Sequence, residues 1–194
     1  MPREGLTTAK VVDEAERLVD EVGLSRLTLA ALAARLNIRQ PSLYKHIDGM
    51  SGLQRAIAQR ASAELAHTLA RAAVGKARGD AIVAMAQAYR AWALKHPGRY
   101  SATQIPVIAG DIAEDGEIFP LVQVVSDVLA GYQLQGDESI HALRTLRSAL
   151  QGFIALESGG GFGDSVDVEK SFNWLLDALV SALSARTELQ FSHH

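Results

Sequence analysis

Cysteine is absent from this chain of 194 residues. Its absence excludes disulfides, cysteine-ligated zinc or iron–sulfur centres and thiol catalysis. Aromatic residues amount to only 6%, and no uncharged apolar run is long enough to span a membrane. The opening segment, MPREGLTTAK, lacks the apolar core of a signal peptide, so we expect a cytoplasmic protein. An overall excess of basic charge is also missing, because the net charge is −3.

The charge that is present is unevenly distributed. Residues 1–60 hold nine Lys and Arg against seven Asp and Glu, whereas residues 61–194 hold ten against fifteen. Between Leu24 and Arg60 the only acidic residue is Asp48, against six basic residues. A short basic segment on an acidic body is typical of a protein that contacts a polyanion through one small module. A solvated helix surface with an uneven count gives the same numbers, so charge alone leaves both interpretations open.

Hydrophobic periodicity predicts helices almost throughout the chain. Apolar residues recur at helical spacing from Val11 to Val22, with Thr7 or Thr8 as the N-cap and Gly23 at the end. Later helices are predicted at about 51–73, 80–96, 118–131, 138–156 and 167–185, with an irregular stretch at 101–116. The first of these is expected to begin with a capping box of Ser and Gln at 51 and 54. No segment alternates convincingly like a strand, so the fold class is all-α.

Two short helices separated by a turn form a helix-turn-helix pattern. The first follows Thr28 and ends at Asn37, and Pro41 fits the first turn of the second. One small core can be closed by the apolar residues Leu29, Leu32, Ala33, Leu36, Ile38, Leu43 and Ile47. The other face of the second helix then carries Arg39, Gln40, Pro41, Ser42, Tyr44, Lys45 and His46. Arg and Gln suit guanine and adenine edges, and hydroxyl or ammonium groups reach phosphates. A helical corner in any bundle gives a similar pattern.

The run LAALAARLNIRQPSLYKHI at residues 29–47, followed by Leu53, resembles the DNA-binding domain of the TetR repressor family, and the resemblance extends over residues 7–60. It implies contacts to bases from Arg39, Gln40, Pro41, Ser42 and Tyr44. It implies contacts to phosphates from Thr28, Tyr44, Lys45 and His46. The alternative for His46 is a cap on its short helix. The family usually has a lysine where this chain has Met50, which predicts weaker or less salt-sensitive binding.

Residues 85–185 resemble the WHG-type effector domain of the same family. The resemblance rests on Trp92, His96-Pro97, the run LQGFIALE at 150–157, the Gly-rich break after it and Phe172. Aromatic side chains with polar tips suit a cavity for a mostly apolar small molecule. The candidate pocket residues are Tyr89, Trp92, His96, Tyr100, Gln104, Phe119, Phe153 and Glu157, and Met85 and Gln123 are further candidates. In the alternative interpretation, Tyr89 and Trp92 fill a helical core and His96 caps a helix.

The helices at about 138–156 and 167–185 are predicted to form a homodimer. One apolar stripe comprises Leu143, Leu146, Leu150, Phe153 and Ile154. The other comprises Phe172, Leu175, Leu176, Leu179, Val180 and Leu183. Stripes this broad are expected when two chains build a four-helix bundle. A twofold dimer would also match a palindromic DNA operator.

Together these patterns predict a helix-turn-helix DNA-binding domain at 1–50 and a ligand-binding and dimerisation domain at 51–194, linked by the helix from about 52. The GGGFG string at 159–163 joins two helices without the strand and lysine of a phosphate-binding loop. No catalytic or metal-binding motif occurs, so we expect no enzymatic activity, no metal and no cofactor. The predicted function is a repressor released from its operator by a small, mostly apolar effector. The alternative is a helical small-molecule or partner-binding protein that does not bind DNA.

Overall fold

A computed structural model describes residues 5–105 and 120–191. In these residues the secondary structure is helical and contains no strand, which confirms the all-α class. The α-helices are α1 (Thr8–Val22), α2 (Leu29–Arg35), α3 (Gly49–Ala73), α4 (Arg78–Lys95), α5 (Pro97–Thr103), α6 (Pro120–Ala130), α7 (Glu138–Ser158) and α8 (Val168–Phe191). A short 3₁₀ turn covers Leu24–Arg26, and a second 3₁₀ helix, Gln40–Lys45, is called the recognition segment below.

The described residues form two compact units. The first takes residues 5–64 and 95–105, and the second takes residues 65–94 and 120–191. Helix α3 therefore contributes to both units, and α5 belongs to the first although it follows α4 in the chain. The domain limits at residues 1–50 and 51–194 remain a prediction about which parts of the chain act independently.

The predicted boundaries of the first two helices are confirmed by their caps. Thr7 caps α1 through its hydroxyl oxygen, which accepts from the Lys10 N–H, and Thr28 caps α2 by accepting from the Ala31 N–H at 3.1 Å. Gly23 ends α1 at a φ of +88° and Asn37 follows α2 at +53°. Both are positive φ values that glycine and asparagine tolerate better than most residues do. Local sequence chemistry thus sets these ends.

The structure departs from the sequence predictions in three places. The recognition segment, predicted as a short helix of unspecified type, is a 3₁₀ helix of six residues, which is longer than most 3₁₀ runs. Helix α3 begins at Gly49, so Ser51 lies inside it and forms no capping box. The irregular stretch predicted for 101–116 begins too early, because residues 101–103 belong to α5, whose first turn Pro97 occupies at a position where its missing N–H costs nothing.

The second unit packs its apolar residues within a single chain. Phe172, Leu176 and Ala86 form a buried cluster, with Leu150 and Phe153 packed against it. The residues of both stripes that the sequence assigned to a dimer are buried or partly buried within this one chain. Their buried members are Leu146, Ile154, Phe172, Leu176, Leu179 and Leu183, and their partly buried members are Leu143, Leu150, Phe153, Leu175 and Val180. A dimer through α7 and α8 would have to use their outward faces instead.

Candidate DNA-binding surface and effector site

The recognition segment is anchored from beneath by two apolar side chains. Leu43 is fully buried and Ile47, just beyond the segment, is nearly so. Both belong to the core that α1, α2 and the start of α3 close, together with Leu32, Val19 and Leu53. The Leu43 carbonyl also accepts from the N–H groups of His46 and Ile47. The segment is therefore held in one orientation by burial, as the helix-turn-helix pattern predicts.

The opposite side of the recognition segment is exposed and polar. Tyr44 is 58% exposed, and Arg39, Gln40, Pro41 and Lys45 are exposed as well. Ser42 and His46 are half-buried. None of the five side chains of Arg39, Gln40, Tyr44, Lys45 and His46 makes a hydrogen bond or ion pair with another residue of the described ranges. Their polar groups are therefore available to an external partner.

Thr28 stands at the start of α2 and is exposed. Its hydroxyl oxygen caps the helix, which leaves the hydroxyl proton free to be donated to a phosphate. The structure thus brings the eight predicted DNA-contacting residues into one small unit and presents most of them to solvent. Their contacts with DNA remain predictions.

The basic surface is smaller than the sequence count suggests. Arg35 of α2 is paired with Glu14 and Glu21 of α1, and Arg60 of α3 is paired with Asp13 and Glu16. The basic residues between Leu24 and Arg60 that have no such partner among the described residues are Arg26, Arg39, Lys45 and Arg55. Acidic residues before Leu24 therefore neutralise part of the basic segment, which the linear sequence did not reveal.

Helix α5 is attached to α1 by a network of charged side chains. The Arg99 backbone N–H and its Nε both donate to Asp20, at 2.9 and 2.7 Å, and its Nη1 donates to Glu64 at 2.6 Å. Arg99 also contacts Nδ1 of His96. Burial, followed by the nearby guanidinium, lowers the pKa of His96, so its neutral ring accepts from Arg99.

The predicted pocket residues are divided between the two units. His96, Tyr100 and Gln104 lie in the first unit, and the remaining described members lie in the second. Tyr89, Trp92 and Met85 are buried on α4, and Gln123 is exposed on α6. Phe119 lies outside the described residues. Their role in ligand binding remains a prediction.

Two of the predicted pocket residues take part in a charged cluster that the sequence did not reveal. Glu157 accepts from both Nε and Nη2 of Arg90, each at 2.7 Å, and Glu169 also pairs with Arg90. The guanidinium carbon lies 4.7 Å from the ring centre of Phe172 and 5.8 Å from that of Phe153. The paired carboxylates and their hydrogen bonds raise the pKa of Arg90. Glu157 is thus a partner of Arg90, and the distance in sequence between the two gave no sign of it.

A cavity of about 400 Å³ opens between α6 and α7 in the second unit. Its lining consists of Ser126, Leu129, Ala130, Gln133, Leu134, Ser139, Ile140 and Leu143. No charged side chain and no predicted pocket residue is among them. A volume of this size is in the range of small-molecule sites. Hydrophobic periodicity does not reveal this cavity, because the cavity depends on how two helices pack.

Among the described residues no helix is both long and apolar enough to cross a membrane. In the same part of the chain, no three His, Asp or Glu residues are grouped so that they could hold a metal ion.

Known proteins resemble the chain in both halves. Residues 11–57 match the family of bacterial regulatory proteins described as the tetR family, and residues 82–179 match the tetracyclin repressor-like C-terminal domain. An uncharacterized HTH-type transcriptional regulator of Mycobacterium tuberculosis is 36% identical over 94% of this chain and 84% of its own length. Another, of Bacillus subtilis, is 32% identical over 94% of this chain and 95% of its own.

Solved structures have the same fold. A putative regulatory protein aligns with a TM-score of 0.69 at 26% identity, covering 90% of this chain and 95% of that one. A TetR of Acinetobacter baumannii aligns with a TM-score of 0.71 at 20% identity, covering 93% and 98%. With both halves matched and relatives that extend over nearly the whole chain, the protein belongs to the TetR family and is a helix-turn-helix transcriptional regulator.

Proposed function

We propose that the protein acts in the cytoplasm as a homodimeric repressor that binds a palindromic operator and is released by a small uncharged effector. The observation that carries the DNA-binding part is the outer face of the recognition segment. The preceding Arg39 and the segment's own glutamine, tyrosine and lysine side chains are exposed and make no hydrogen bond or ion pair with other described residues, on a base fixed by Leu43 and Ile47. Polar donors on a rigid support are what sequence-specific readout in a major groove requires.

Selection of bound fragments from random DNA at one stated salt concentration tests this proposal. We expect a palindromic consensus with half-sites about one helical turn apart. Gln40→Ala is expected to lose discrimination at one base pair of each half-site, by about 1–3 kcal/mol, and to keep the rest of the consensus. Gln59→Ala, an exposed glutamine of α3, serves as the matched control and should select the wild-type consensus. A folded dimer that selects no sequence would contradict the proposal.

The homodimer is proposed to form through the outward faces of α7 and α8. On α8 the exposed face opposite the core carries Trp174, which is 78% exposed, and then Ala178, Ser181 and Ala185. On α7 the corresponding exposed residues are Ser148, Gly152, Ala155 and Leu156. These two stretches consist of uncharged residues, although Arg144, Lys170 and Asp177 border them, and the outer face of a surface helix normally carries charged residues throughout. Small residues would let two copies of each helix approach closely.

Ala178→Arg is expected to convert the dimer into monomers, because it places a charge at the centre of the proposed contact. Light scattering measures the mass, and emission from exposed Trp174 should shift to longer wavelength as its environment becomes aqueous. Gln87→Arg, at an exposed position of α4, should remain dimeric. A dimeric Ala178→Arg variant would place the interface elsewhere.

The effector is proposed to occupy the cavity between α6 and α7. Its lining is uncharged and mostly aliphatic, with Ser126, Gln133 and Ser139 as the polar groups. The site is partly open to solvent, and a neutral molecule could pack against its aliphatic side chains and be oriented by these few polar groups. Gln133 also adopts a φ of +55°, a conformation that costs energy for a residue other than glycine and is found preferentially at functional sites.

Leu143→Trp should fill this cavity. We expect the variant to bind the operator with wild-type affinity and to lose its response to extracts or compounds that release the wild-type protein. Val74→Trp, at a position just after α3, controls for the added bulk, because Val74 is 74% exposed, does not line the cavity and lies outside the proposed dimer contact. Release of the Leu143→Trp variant at wild-type effector concentrations would show that the effector binds elsewhere.

A further inference from the structure

Two consecutive carboxylates in the last turn of α1 bind arginines on two different helices. Asp20 accepts from Arg99 of α5, at 2.9 Å from the backbone N–H and 2.7 Å from Nε. Glu21, the next residue, accepts from Nη2 of Arg35 in α2 at 3.0 Å and makes a second contact with the same guanidinium. One turn of α1 thus holds α5 on one side and α2 on the other.

The contact between α5 and α1 is close as well as charged. A Cβ atom built on Gly98 would lie 2.0 Å from the Val19 carbonyl oxygen, so the two backbones touch at this point. Ala102, one turn later on α5, is fully buried in the same core as Val19. Because the packed backbones act together with the two hydrogen bonds that the Arg99 backbone N–H and Nε donate to Asp20, a displacement of α5 also displaces the last turn of α1.

The contact between α1 and α2 is placed directly before the recognition segment. Arg35 is the last residue of α2, and its Nε also donates to Glu14 of α1 at 2.6 Å. The turn that follows is tied back to α2, because the Ile38 N–H donates to the Ala33 carbonyl at 3.0 Å. The recognition segment begins two residues after Ile38. The end of α2 therefore sets where the recognition segment starts.

We propose that Arg99 and Arg35 are positioning residues that act in series through α1 to hold the recognition segment in its operator-binding orientation. A displacement of α5, which follows α4 directly in the chain, would pass through Asp20 and Glu21 to the end of α2. This inference rests on the proposed operator binding and specifies how the orientation of the reading face is maintained. Neither arginine touches DNA in this role.

For Arg35, an effect on the orientation of α2 can be distinguished from an effect on folding stability. The Arg35 side chain is 34% exposed, and its partners Glu21 and Glu14 are 55% and 16% exposed, so the pair with Glu21 contributes little to folding stability and the pair with Glu14 contributes more. The Arg35→Gln variant should therefore be folded at the assay temperature. A change in its operator affinity would then report the orientation of α2 and not the loss of the fold.

A double-mutant cycle on operator affinity tests the series arrangement. We expect Arg99→Gln and Arg35→Gln each to weaken binding of the selected operator by between about threefold and thirtyfold. The double variant should bind no more weakly than the weaker single variant, because either change already interrupts the same connection. Thermal unfolding of every variant checks that binding is measured on folded protein. If Arg99→Gln lowers the melting temperature into the assay range, Arg99→Lys is used instead. Lysine keeps the positive charge but lacks the planar guanidinium that donates to several acceptors at once.

Arg55→Gln supplies the control for the loss of one positive charge. Arg55 is exposed on α3 and has no ion pair among the described residues, so its effect should multiply with that of Arg99→Gln. The inference is overturned if the losses of operator affinity in Arg99→Gln and Arg35→Gln multiply in the double variant. It is also overturned if either single variant binds the operator with wild-type affinity. Both outcomes leave the proposed operator binding intact. A wild-type protein that selects no operator would overturn the proposed function and this inference together.

Discussion

Gly98→Ala is expected to lower the free energy of unfolding by about 3 kcal/mol or more, at the upper end of what overpacking costs. The added methyl group would lie 2.0 Å from the Val19 carbonyl oxygen, 2.2 Å from its carbon and 2.7 Å from the Asp20 nitrogen. These are backbone atoms of α1, which cannot rotate aside as a flexible side chain would. Helix α5 must then separate from α1, and the bonds between Arg99 and Asp20 are strained as a result.

Chemical denaturation followed by circular dichroism measures the effect of Gly98→Ala. Ser101→Ala is the matched control, because Ser101 lies on the same short helix and is exposed. Its free energy of unfolding should stay within about 0.5 kcal/mol of the wild-type value. If Gly98→Ala and Ser101→Ala have the same free energy of unfolding, α5 does not pack against α1 as closely as the structure shows.

Arg90→Ala is expected to lower the free energy of unfolding by about 3–5 kcal/mol. Arg90 is 13% exposed in its side chain, and its removal leaves Glu157, which is 17% exposed, without its bidentate partner. The variant also loses the stacking of the guanidinium over Phe172. The free energy of unfolding of Arg90→Lys should lie between those of the wild type and Arg90→Ala, because an ammonium group keeps the charge but cannot bind both carboxylate oxygens of Glu157 in parallel.

Arg186→Ala provides the comparison for the Arg90 cluster. Arg186 pairs with Glu138 at 3.5 Å, but its side chain is 65% exposed, so the loss should be below about 1 kcal/mol. Equal losses for Arg90→Ala and Arg186→Ala in urea titrations would mean that the Arg90 cluster is not desolvated. The predicted contrast comes from burial, since both arginines join helices that are distant in sequence.

Most helices of this protein were predictable from the sequence because their signals are local. Thr7 and Thr28 cap α1 and α2 through hydrogen bonds to residues only three positions away, and Asn37 accepts a positive φ by its own chemistry. The recognition segment was located for the same reason, although its 3₁₀ geometry was not. Its apolar Leu43 and its polar residues lie on opposite sides, so that Leu43 is buried and Tyr44 is exposed.

The functional contacts outside that segment depended on which helices meet. The sequence showed apolar stripes at 143–154 and 172–183 but not their partners, and the structure packs them within one chain. Glu157 was expected in a pocket and instead pairs with Arg90, which is 67 residues away. Periodicity identifies the face that is buried; it carries no information about the surface that buries it.

The sequence by itself therefore determined the all-α class, the helix-turn-helix pattern and the polar face that the recognition segment presents. These follow from spacing and capping within a few residues. The tertiary structure alone decided which cations remain unpaired, how Asp20 and Glu21 connect α5 to α2, and where the cavity between α6 and α7 opens. Each of these depends on long-range packing, in which side chains far apart in sequence become neighbours only after the helices have met.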